Sequence, residues 1–511
     1  MSNGLLHDIN ISDAVQGAAQ MPSIPREAIL DTVPRSALAA TKKIVNLVPI
    51  TSGSVGPNQT IQFLIPQRNL MKAASIYLKF KFRIPFNAAY VNGWRFSGHL
   101  GSAAALFNNI TLQAGGVVLE SLQNYHLWHN NVLANAHQGN DELAVESLCS
   151  GAKLIDNGSG QFAAAVAAGG SNYNQDNLGF SFNGVNTGCA AASNAQIEKC
   201  LQFAAPSAAD FQSIFTIPIL SGVFNPKESQ LVPLQFINGG ILLTLQTNAV
   251  SKVFFESSAT STSVLNNYEI SELELCYAEI TPAPEYVLRI REEMMAGKMI
   301  KIECQSYQQY NVASGSTVRQ NFNVNLSSVS SIFWGRVFEP DSTLTTKLFQ
   351  GFGSDSDPNS RYEVYLDNVL LFNSPNQLNS IAVQVRQLQE ALASSVSDYQ
   401  ISPFTVGRGN NASYTTTTLL APQNQPSTGL TTVDNTFFTS NMLWGLSTKL
   451  FASNSTSMDG TPIGVLTLNF QIGNAQGPSG ATEPNTNLWY IYVVYDYIYL
   501  VDATGSVSKN Q

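Results

Sequence analysis

His126 and His129 stand three residues apart, with His137 close behind, and histidine is a residue type that ligates zinc. A zinc site also needs a third and a fourth ligand in matching geometry, which the sequence does not supply. The plainer reading is histidines on the surface or cap of a helix. A second candidate is "DSDPNSRYE" (355–363), where Asp355, Asp357 and Asn359 alternate as oxygen ligands do at the start of a calcium loop. That loop requires glycine at its sixth place and glutamate at its twelfth. The glycine is missing, and Leu366 stands at the twelfth. The stretch therefore reads as a polar loop, with these three residues as the remaining metal candidates. Cysteines at 149, 189, 200, 276 and 304 form no CxxC pair and read as buried reduced thiols. Neither a GxxxxGK[ST] phosphate loop nor a GxSxG elbow occurs. No catalytic residue, cofactor or resident metal is assigned.

The chemistry is sparse, so the elements carry the reading. The 511 residues exceed one compact core and suggest two or three domains. Charged residues make up 12%, about half the usual share, which suits a surface covered by neighbouring subunits. The net charge of −9 argues against a chain that packs nucleic acid. Residues 1–83 lean the other way, with nine basic residues against Asp8, Asp13, Glu27 and Asp31. That excess reads as a solvated arm and strand edges; contact with an anionic membrane or polynucleotide is the sharper alternative. The start "MSNGLLHDINISDAV" does not read as a secretory leader, and no apolar run is long enough for a membrane span.

Strand signals begin at residue 44. In "SIYLKFKFRIP" (75–85), Ile76, Leu78, Phe80, Phe82 and Ile84 share one face, and Tyr77, Lys79, Lys81 and Arg83 the other. "ITLQAGGVVLES" (110–121) is a hairpin turning at Gly115-Gly116, which sets Leu112 opposite Leu119. "YEVYLDNVLLFN" (362–373) repeats it, turning at Asp367-Asn368 with Val364 opposite Leu371. Helical periodicity follows each hairpin, through Leu122, Tyr125, His129 and Val132 and through Leu378, Ile381, Val385, Leu388 and Leu392.

Other segments echo in the same order. "SIYLKFKFRIP" matches "SIFWGRVFEP" (331–340), and "IPILSGVF" (217–224) matches "LWGLSTKLF" (443–451). "GGILLTLQ" (239–246) matches "IGVLTLNFQ" (463–471), and "YEISELELCYAEI" (268–280) matches "TNLWYIYVVYDYIYLV" (486–501). Five matches in order point to a duplicated β-domain. The expected organisation is an arm (1–43), a first domain (44–281) with a long insertion at 134–210, and a linker (282–298). A second domain (299–503) follows, with an insertion at 401–440, and then a tail (504–511). Pro282 and Pro284 stop the last strand of the first domain, and Gly297 ends a short linker helix.

Two tandem eight-strand-like β-domains, each with a flanking helix, resemble the double jelly-roll major capsid proteins. Adenovirus hexon and the coats of tailless, membrane-containing phages belong to that lineage. The size looks closest to coat proteins of virophages and Polinton-like viruses. "FNNITLQAGGVVLES", "IPILSGVF" and "LVPLQFINGGILLTLQTN" carry the likeness, which spans about residues 44–502. It implies an all-β chain of two jelly-roll sandwiches joined by a short helical linker. It also implies homotrimers of nearly hexagonal outline that tile an icosahedral shell around double-stranded DNA. The partners would be the chain itself, neighbouring trimers, penton proteins and minor capsid or cement proteins. The insertions would form outward towers and clamps, and the arm would reach a neighbour or an internal membrane. Sequence-specific nucleic-acid binding is not implied, and the expected location is the virion. The alternatives are a secreted two-jelly-roll glycan-cleaving amidase, which needs a leader and a convergent carboxylate pair, and a β-rich adhesin or spike.

Overall fold

The computed structural model describes most of residues 40–510. Outside the described residues lie 1–39 and, within the chain, chiefly 134–148, 152–184, 187–201, 204–208, 227–230, 257–264, 339–351, 354–360, 378–386, 393–442, 450–459 and 472–486. Eight main strands build the first half. They are β1 (Ala40–Leu47), β2 (Thr60–Ile65), β3 (Tyr77–Ile84), β4 (Phe107–Ala114), β5 (Val117–Leu122), β6 (Phe211–Pro218), β7 (Ile241–Thr247) and β8 (Glu269–Pro282). They form two antiparallel sheets, ordered β1-β8-β3-β6 and β2-β7-β4-β5. Strand β3 alternates as its sequence requires, with Leu78, Phe80, Phe82 and Ile84 fully buried.

Helix α1 (Pro284–Met295) leads to the second half. Proline opens it where no amide is needed, and Gly297 at φ +90° follows its end. The second half contains β9 (Ile300–Ala313), β10 (Thr317–Phe338), β11 (Arg361–Leu366), β12 (Val369–Leu370), β13 (Trp444–Ser447), β14 (Thr461–Gln471) and β15 (Asn487–Val501). Strand β10 serves both sheets. Its first part pairs with β14, and its last part with β15 and β13. Bulges between Asn323 and Ser331 turn the corner, and Asn325 adopts φ +50° there. The sheets are β9-β15-β10-β13 and β10-β14-β11-β12, so the second half repeats the strand order of the first. This is a pair of jelly-roll sandwiches.

The second hairpin turns as expected. Asp367 and Asn368 take φ values of +48° and +67°, and the Leu371 amide donates to the Val364 carbonyl at 2.9 Å. Asp367 holds that left-handed geometry because its Oδ1 accepts amides from Gly464 and Val465, at 3.0 and 2.7 Å. The first hairpin departs from expectation. Ala114 pairs with Val117 and Gln113 with Val118, but Leu112 pairs with Glu120 rather than Leu119. A bulge inserts one extra residue, so Leu119 and Glu120 are both buried.

Other expectations also shift. The first strand starts at Ala40, inside the segment read as an arm. The segment read as a tail forms β16 (Val507–Asn510), paired with β15. Within the insertion at 134–210, Gln202–Phe203 pairs with Trp94–Phe96 and with Val185–Asn186, tying the loop into a small third sheet. The helix after the first hairpin is only Tyr125–Leu127, continued by a wider π-type turn at Trp128–Val132. Cys276 and Cys304 are buried as expected, but Cys149 is exposed.

Buried apolar residues of both halves form one contiguous core. Leu112 lies in it, fully enclosed. Leu112→Asp should destabilise the chain by about 3–5 kcal/mol, because the carboxylate would have no partner there. Equal denaturation midpoints for variant and wild type would contradict the assigned face.

Candidate functional site at the joint between the two sandwiches

The bulge in β5 turns Glu120 inward, toward the second sandwich. The Ser221 hydroxyl, from the loop after β6, donates to its Oε2, and the Gly222 amide donates to Oε1 at 3.2 Å. The Ser306 hydroxyl on β9 donates to the same Oε1 from across the joint. One carboxyl thus receives donors from both sandwiches. Burial pushes its pKa above the usual carboxylate range, against the opposing pull of Ser221, Ser306 and the Gly222 amide. Close approach is needed for this geometry, because a Cβ on Gly222 would lie 2.2 Å from the Gln305 carbonyl oxygen.

Beside the carboxyl, the Tyr499 hydroxyl donates to the Leu119 carbonyl. The Tyr307 hydroxyl donates to the Gln123 carbonyl at 3.2 Å, and Asn124 Nδ2 donates to Gln309 Oε1 at 2.8 Å. Trp128 fills the space between them. Its ring stacks on Tyr307 at 4.5 Å and meets Tyr492 at 5.3 Å and Phe333 edge-on at 5.9 Å. A cleft of about 340 Å³ opens above Glu120, bordered by Tyr310, Tyr495 and Lys509. Lys509 Nζ lies 4.6 Å from the centre of the Tyr497 ring, and burial pulls its pKa down while Glu120 pulls it up.

The residues singled out from sequence do not gather here. His126 and His129 are fully buried rather than on a helix surface. Among the described residues, neither ring nitrogen of His126 has a hydrogen-bond partner, while His129 Nδ1 lies 3.3 Å from the Ser102 hydroxyl. Burial lowers their pKa values to about 3 for His126 and about 4 for His129. His137, Asp355, Asp357 and Asn359 lie outside the described residues. Among the described residues, no group of three or more His, Cys, Asp or Glu side chains could hold a metal ion.

Among the described residues of the basic front end, Lys43, Arg68, Lys79, Lys81 and Arg83 are paired within the chain. Lys79 meets Glu274 at 3.1 Å, and Lys81 meets Glu272 at 3.4 Å. Arg83 bridges Asp210 and Glu269, while Lys43 and Arg68 both meet the buried Glu279. Sequence reading missed Glu120, because a plain two-residue hairpin points it at solvent. The nearest signal was the Ser221-Gly222 pair inside "IPILSGVF".

Two outcomes are expected. Glu120→Gln keeps acceptor and donor capacity without a buried charge and should melt near wild type. Glu120→Ala strands Ser221, Ser306 and the Gly222 amide and should cost about 2–3 kcal/mol; calorimetry of both variants checks this. The second concerns acid. A buried neutral histidine stabilises the fold above the unfolded pKa of about 6.5, and that stability is lost as pH falls through the window down to its folded pKa. His126→Leu should remove about 1.4 kcal/mol per pH unit from the decline in stability between pH 6 and pH 4. Urea titrations across that range measure the slope, and parallel curves would contradict the assignment.

No family model and no curated protein matches this chain. Solved structures do. A chain of the PBCV-1 virus capsid is 12% identical with a TM-score of 0.53, and the match covers 94% of this chain and 98% of the other. The Faustovirus major capsid protein is 11% identical with a TM-score of 0.53, covering 98% of both chains. A chain of the Sputnik virophage is 10% identical with a TM-score of 0.52, covering 96% of this chain and 93% of the other. Strand order, sandwich pairing and near-complete coverage agree: this chain has the double jelly-roll fold of viral major capsid proteins.

Proposed function

We propose that the chain is the major capsid protein of a double-stranded DNA virus, structural rather than catalytic. Three copies would form a capsomer of six sandwiches, and such capsomers would tile an icosahedral shell in the virion. The observation that carries this reading is the joint itself. A carboxyl, a tryptophan and a glycine contact fix two like sandwiches side by side. That is what a rigid building block with broad flanks requires, and paired sheets also limit the free edges open to aggregation. Low charge and internal ion pairing on the β3–β8 face reduce repulsion between copies.

On this reading the partners are other copies of the chain, then neighbouring trimers, with penton and minor capsid or cement proteins completing the shell. The described core holds the sandwiches, and the insertions at 134–210 and 401–440 are long enough in sequence to supply outer towers and clamps.

Purified protein should scatter light as a particle of three times the 55.2 kDa chain mass. Negative-stain images should show six-sided plates or closed shells. A monomer that persists at micromolar concentration would contradict the reading.

A further inference from the structure

The internal joint has an empty counterpart. On the second sandwich, Gln309 of β9, Tyr492 of β15 and Phe333 of β10 lie in one row across the sheet, with Tyr307 two residues along β9. This patch is the one covered by Trp128 and Asn124 of the first sandwich. On the first sandwich, the same row is Asn46 of β1, Cys276 of β8 and Tyr77 of β3, with Ile44 two residues along β1. The segments Ser75-Ile76-Tyr77 and Ser331-Ile332-Phe333 anchor the correspondence. Ile44 therefore takes the place of Tyr307. Yet Ile44 is 68% exposed, whereas Tyr307 is 4% exposed.

We propose that the Ile44–Asn46–Tyr77 patch is the docking surface for the second sandwich of another copy of this chain. The inference rests on the capsomer reading and adds to it the face through which copies meet. The reciprocal surface is also exposed. Val117–Leu119, at the head of the segment that carries Asn124 and Trp128, corresponds by hairpin position to Val369–Leu371. Val369 is 69% and Leu370 37% exposed. Val117 and Val118 are themselves 41% and 48% exposed, so the two tips are alike; the contrast lies at Leu119, 2% exposed beside the joint, against Leu371 at 40%. An apolar hairpin flank on one sandwich and an apolar edge strand on the other make a head-to-tail contact. Such a contact forms a ring when its rotation closes. Ion pairing of Lys79, Lys81 and Arg83 on the same face leaves little net charge to oppose the approach.

The test uses the full chain. Ile44→Arg alters an exposed side chain, so folding should be unchanged by circular dichroism, while trimer dissociation measured by sedimentation should strengthen at least tenfold. In parallel, Ile44→p-benzoylphenylalanine should, on irradiation, yield a product of two-chain mass or more, with the link mapping to residues 361–392 of a second copy. Wild-type trimers that are unaffected by Ile44→Arg and give no such product would overturn the assigned face and leave the capsomer reading standing. A link to residues 1–39 of the same chain would overturn it too, by making the N-terminal segment the occupant. Wild type that is monomeric throughout would overturn both.

Discussion

The structure depends on one buried carboxyl. Two sandwiches of the same topology could sit at many mutual angles, since sheet faces are broad and apolar contact is non-directional. Glu120 removes that freedom. Its donors come from both sandwiches and have defined directions; Ser221 and Gly222 hold the carboxyl in place on its own sandwich, and the Ser306 hydroxyl across the joint would lose its buried partner if the sandwiches slid. Gly222 permits the approach, and Trp128 fills the volume beside it. Apolar burial supplies the attraction, and the carboxyl with its donors selects the geometry.

The two copies of the hairpin show how repeated units diverge. Both turn in two residues through left-handed backbone, one with glycines and one with Asp367-Asn368. Only the first carries a bulge, and four residues past its turn stands Glu120. The matching place in the second hairpin is Phe372, which packs edge-on against Tyr362. A single extra residue in a ladder thus separates a hairpin that turns Glu120 toward a second sandwich from one that keeps Phe372 against its own Tyr362. The second copy differs elsewhere as well. One continuous β10 replaces two separate strands of the first copy.

Electrostatics is arranged by the same economy of exposed groups. The basic residues near the N-terminal end of the described chain meet acids brought beside them by β8, a strand about 190 to 240 residues away in sequence. Each exposed pair contributes little to stability, because water and salt screen it. Their larger effect is to make a flank nearly neutral.

Much of the fold was legible in the chain. Alternation in β3 assigned its buried face, the two-residue turns located both hairpins, prolines and a glycine bounded α1, and the ordered echoes gave two like sandwiches. Each of these signals is local or repeats along the chain, so reading one stretch at a time recovers it. The joint was not legible. Glu120 reads as solvent-facing until the bulge flips it, Ser306 is one polar residue among many in β9, and the histidines read as surface groups until packing buries them. No local pattern encodes such outcomes, because they depend on which distant surfaces meet. The sequence alone determined what each strand would bury; only the tertiary structure decided what one sandwich would present to the other, since that choice is made by shape and hydrogen-bond direction across elements far apart in the chain.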